Sequence, residues 1–210
     1  MTTPEPLIPP HGGYKKLVTY RLGNLIYDAT VAFCEQYFSR KDRTFDQMVQ
    51  AARSGVANII EGSEASATSK KTELKLTNVA KASQEELLSD YQAFLRQRNL
   101  PEWAPDSPPA ETVRRRRPAD LAALRQLMAA LVTELSAGKS DRSDRSDRSD
   151  RSDKSDILAT VAANTMICLI NQETYLLKRQ IDCLAKDFGS GGGFTERLYR
   201  ARKTRRDGEE

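Results

Sequence analysis

The sequence predicts an all-α protein: an antiparallel four-helix bundle with a short extra helix and a low-complexity loop in its third crossover. Three observations carry that expectation. Apolar residues recur at steps of three and four along four long segments. No segment alternates apolar and polar residues for long enough to argue a strand. The early connections are short and polar, which favours antiparallel neighbours, while the third is long and decorated. The expected organisation is a flexible leader at 1–13, the bundle at 14–188 with an insertion at 101–155, and a glycine hinge with a basic tail at 189–210.

The first helix is expected from Tyr14 to about Ser39, with Val18, Leu22, Leu25, Ala29 and Ala32 as its stripe and Ile26, Phe33 and Tyr37 beside it. Thr44, with Gln47 three residues on, fits a capping box for a second helix that runs to about Ala65. Its seam is Met48, Ala52, Gly55 and Ile59. A glycine inside a helix costs about 1 kcal/mol against alanine, so Gly55 argues for the close approach of another helix. Thr68 or Ser69 caps a third helix that runs to about Arg98, where Asn99 to Pro101 stop it. Pro101 to Pro118 reads as a loop, with Arg114–Arg117 inside it either solvated or in contact with phosphates.

A short helix follows from about Ala119 to Ser136. Ser-Asp-Arg then recurs four times from Ser140 to Arg151, followed by Ser152, Asp153 and Lys154. With no apolar residue and nearly cancelling charge, this tract cannot offset its ordering entropy in a core, and it reads as an expanded loop. The last long helix is expected from about Asp156 to Phe188. It is apolar nearly all round from Ile157 to Ile170, so either the short helix or a second subunit has to cover it.

Composition narrows the function. Hydrophobic residues are 39% of the chain, enough for a core, and no uncharged apolar run is long enough to span a membrane. The leader lacks the basic-then-apolar pattern of a secretory signal, so a cytoplasmic protein with no membrane partner is expected. The single histidine, His11, lies in that leader. A Ser-His-Asp or Cys-His site would have to use it, and a di-metal bundle would need paired Glu-x-x-His motifs that are absent. No phosphate-loop or dinucleotide-binding glycine motif occurs. The expectation is therefore a non-catalytic protein with no cofactor and no metal. Cys34, Cys168 and Cys183 read as buried, reduced thiols. A net charge of +4 permits a phosphate-bearing partner without demanding one.

The segments RSGVANIIEGS (from Arg53), NTMICLINQETYLLKRQ (from Asn164) and GGFTERLYRARK (from Gly192) occur together in one chain. In this they resemble the four-helix-bundle proteins with a C-terminal suffix motif. The wider superfamily includes proteins encoded in intervening sequences of large-subunit ribosomal RNA genes and the accessory variability protein of diversity-generating retroelements. The resemblance covers roughly 14–100 and 156–203. It implies a bundle that can assemble into a homopentamer, with a basic surface that engages RNA or DNA. The alternative it implies is a protein–protein adaptor, for example an accessory subunit of a reverse transcriptase. The Ser-Asp-Arg expansion departs from the family pattern.

Three sets of residues are candidates. Arg53, Asn58 and Glu61 lie in the most recognisable segment and read as an interface or inter-helix polar network, with a ligand site as the alternative. Lys70 and Lys71 sit at a helix start, where free backbone N–H groups favour anions. A compensating Glu64 or Glu73 is the alternative use of these lysines. Arg197, Arg200, Arg202, Lys203, Arg205 and Arg206 form the densest basic run, with Tyr199 as a stacking ring beside Arg200. Glu196, Asp207, Glu209 and Glu210 dilute it, so a solvated tail is the other reading, and Phe194, Leu198 and Tyr199 could dock a subunit.

Overall fold

A computed structural model describes residues 12–137 and 147–191, and in the tail residues 198, 199, 202, 203 and 206. Over these residues the chain is all-α, without a strand. A 3-10 turn (Tyr14–Lys16) leads into α1 (Val18–Tyr37), α2 (Arg43–Ala65), α3 (Lys70–Gln97), α4 (Pro108–Arg116), α5 (Leu121–Ala137) and α6 (Asp147–Gly191). α1 packs on α2, α2 on α3, α3 on α6 and α6 back on α1. α4 and α5 lie against α6.

The helix ends have local causes. Asp42 caps α2, its carboxylate accepting from the Thr44 backbone N–H at 2.9 Å. The expected Thr44 cap thus moves two residues upstream, to a charged and better acceptor. Ser69 caps α3 by accepting from Thr72 N–H at 3.2 Å. At the other end of α3, Asn99 takes a left-handed conformation (φ 53°) and Leu100 N–H reaches back to Leu95 O at 2.9 Å, closing the helix as a Schellman-type turn does.

Four expectations are corrected. The stretch 101–118 is not all loop: Ser107 and a proline pair at the first two positions open α4, and Ala110 and Val113 bury one face of it. Its arginines fill the last turn, where the negative end of the helix dipole favours cations. The Ser-Asp-Arg tract is helical from Asp147 onward, because extending an existing helix adds a hydrogen bond for each residue fixed. Its residues up to 146 lie outside the described residues. The buried stripe of α1 is rotated from the expected one: Gly23, Ile26, Thr30 and Phe33 face inward, and Val18 is 56% exposed. The cysteines also differ, with Cys34 buried, Cys168 half-buried and Cys183 exposed.

The main core joins all six helices. Phe33, Tyr91 and Phe94 form its aromatic centre, with Phe33 at 4.8 Å centroid separation from each of the other two in edge-on geometry. The Tyr91 hydroxyl donates to Thr30 at 3.1 Å, so it is not left bare. The apolar face at 157–170 is covered within the chain. Val113 of α4 and Leu124, Leu127 and Leu131 of α5 share one cluster with Ile157, Met166 and Ile170. Asn164 fastens the connection after α3. Its carboxamide accepts from Trp103 N–H at 2.7 Å and donates to Pro101 O at 2.9 Å.

Candidate functional site

Two polar features stand out against this apolar packing. The first is internal. A small second cluster of Ile59, Ala80 and Leu177 is separated from the main core. One turn along from it stand Gly23 of α1, Gly55 of α2, Gln84 of α3 and Glu173 of α6. A Cβ on Gly23 would come within 2.6 Å of Glu173 Oε1, and one on Gly55 would meet Gln84 Nε2. Two helices therefore supply glycine where the other two supply a long polar side chain. Both side chains are fully buried, and their terminal nitrogen and oxygen atoms have no hydrogen-bond partner among the described residues. Such atoms cost about 1–3 kcal/mol each. Burial alone pushes the Glu173 carboxyl up to about 8, so it is largely neutral at pH 7.

The second feature opens to solvent. A groove of about 560 Å³ lies between the N-terminal half of α1, the α4–α5 junction and the middle of α6. Arg21, Arg117 and Arg179 line it from these three elements, and none of its lining residues among those described is acidic. Among the described residues none of the three has a carboxylate at ion-pair distance. Leu22, Leu25, Leu169 and Leu176 give it an apolar floor, and Tyr175 stands at its edge, 61% exposed.

Local backbone structure adds to the positive character of the groove. α1 begins at Val18 with no side-chain cap and no acid in its first turn, so the positive end of its dipole is uncompensated. Arg21 adds a formal charge there. Arg117 ends α4 at φ 44°, a left-handed conformation that costs an arginine about 1–2 kcal/mol. That turn sets the Arg117-Pro118-Ala119 wall of the groove. Gln172 contributes a buried Nε2 without a hydrogen-bond partner. Charges and dipole both favour an anion, and the leucine floor favours an apolar body attached to it.

The residues singled out in the sequence fall elsewhere. Lys70 pairs with Glu73 at 3.0 Å, one of the two acids expected to compensate it, and Lys71 is exposed. Arg53 and Glu61 are both exposed. Asn58 instead turns back on its own helix, donating to Ser54 O at 2.8 Å, while Ser54 meets Ser83 of α3 at 3.0 Å. A link from α2 to α3 exists there, but it runs through serines. In the tail, Arg202, Lys203 and Arg206 are helical and exposed. Arg197, Arg200 and Arg205 lie outside the described residues.

Arg21 and Arg179 were missed because they lie on otherwise ordinary helices, Arg179 beside Lys178, 158 positions apart by their numbers. The only local signal was Arg117, within a run of four arginines. No family model, curated protein or solved structure matches this chain.

Proposed function

We propose that this protein is a non-catalytic four-helix-bundle protein that binds nucleic acid, with the three-arginine groove as its principal phosphate contact. The observation that carries the reading is the convergence of Arg21, Arg117 and Arg179 on one recess, with no ion-pair partner and no acidic lining residue among the described residues. Guanidinium groups match phosphate oxygens in shape as well as charge. The exposed Arg114, Arg115 and Arg116 on the last turn of α4 extend the basic surface from the same junction. The closed cycle of contacts among α1, α2, α3 and α6 supports the bundle arrangement. So do the short connections between the first three helices. Self-association belongs to the proposal on the family resemblance alone, since the apolar face that also motivated it is covered by α4 and α5.

Fluorescence anisotropy of labelled RNA and duplex DNA across a salt series tests this. Binding that weakens with salt is expected, with a log–log slope of about 0.7 to 0.9 for each phosphate contacted. Absence of binding at low salt would overturn the nucleic-acid reading and turn attention to protein partners.

A further inference from the structure

The groove is more than a charged strip, and its apolar part says what kind of nucleic acid it suits. We propose that it takes one unstacked nucleotide of a single strand, with the base over the leucine floor against Tyr175 and the flanking phosphates on Arg21, Arg117 and Arg179. This rests on the nucleic-acid reading above and names the form of the partner.

A duplex presents phosphates and sugars outward and keeps its bases stacked inside. Set against this groove, it would engage the arginines and leave the apolar lining between them, to which the half-buried Leu22 and Leu176 contribute, without an apolar partner. A single strand has bases to spare. Proteins that hold such strands stack them on aromatic side chains within a positively charged channel. The volume of about 560 Å³ falls in the range of small-ligand recesses, about 300–1,000 Å³. Tyr175 is among the most exposed large hydrophobic residues described, and no other ring is in contact with it among the described residues. Its face is therefore available to a base. Gln172 also lines the recess, with its Nε2 buried beneath the surface. Glu173, its neighbour in sequence, points the other way, against Gly23, and leaves the recess free of acid.

The test compares a labelled single strand of about ten nucleotides with the same sequence as a duplex and with an abasic strand of equal charge. Each is offered with ribose and with deoxyribose, and the intact chain is used throughout. The single strand is expected to bind at least about fivefold tighter than either control, since stacking one base is worth about 1–3 kcal/mol, or about five- to 150-fold. Tyr175→Ala is expected to remove that advantage, and Tyr175→Phe to retain it. Because the side chain is 61% exposed, neither change should disturb folding, which circular dichroism checks. Equal affinity for all three probes, unchanged in Tyr175→Ala but lost in Arg21→Ala/Arg179→Ala, would overturn the single-strand inference and leave the phosphate reading standing. No binding of any probe at low salt would overturn both.

Discussion

Glu173 offers the sharpest test of the interior. Its carboxyl is fully buried, has no hydrogen-bond partner among the described residues, and is pushed up to about 8 by desolvation. In the unfolded chain it returns to about 4.3. Below that pH both states hold the proton and the group has no effect on stability. Between the two values unfolding releases a proton, so the folded state loses about 1.36 kcal/mol for every unit of rising pH. Above about 8 both states are ionised and the loss stops growing. At pH 7 the accumulated loss is about 2.7 units, or about 4 kcal/mol. Glu173→Gln keeps shape and polarity but cannot ionise. It is expected to match the parent near pH 4 and to exceed it by about 2–5 kcal/mol at pH 7. Urea unfolding followed by circular dichroism, on both proteins at intervals from pH 5 to 9, reads this directly. All other titrating groups are common to both chains, so the difference isolates position 173. Two stability curves that stay parallel across that range would refute the reasoning.

Other outcomes follow from the same structure. Gly55→Ala should cost about 1–3 kcal/mol, because its methyl group would collide with the buried Gln84 Nε2. Gln84→Ala in the same chain should recover part of that loss in thermal unfolding. In the native protein Cys183 should react with a thiol reagent within minutes. Cys34, buried and pushed up to about 12, and Cys168, pushed up to about 11, should react only on unfolding, as peptide mapping would show. Asn164→Ala should free the Pro101–Trp103 segment at a cost of about 1–3 kcal/mol. Trp103 is the sole tryptophan, so a red shift in intrinsic fluorescence reports the release.

Periodicity made the long helices legible, because it encodes a buried stripe directly: Met48, Ala52, Gly55 and Ile59 all lie inward as expected. The stripe of α1 misled because Val18 is apolar for a different reason, lining the groove rather than the core, and Leu22 is shared between the two. α4 was hidden by its two prolines and arginine run, which look like loop chemistry, although the prolines fall on the first turn, where no amide donor is needed. Gly55 signalled a close approach, and the neighbour is the end of the Gln84 side chain rather than a backbone. Glu173 gave no sign at all. A carboxylate beside Gln172 and Thr174 reads as solvent-facing, and only the packed helices bring it against Gly23. The groove was out of reach for the same reason, since its arginines come from three distant elements, each unremarkable alone.

The most direct test of the central claim is the salt dependence of single-strand binding for the parent, for Arg21→Ala/Arg117→Ala/Arg179→Ala, and for Lys70→Ala/Lys71→Ala. The groove variant is expected to lose affinity and to flatten the log–log slope by about 2, while the lysine variant, away from the groove, keeps both. A groove variant that binds with the parent's affinity and slope would contradict the account.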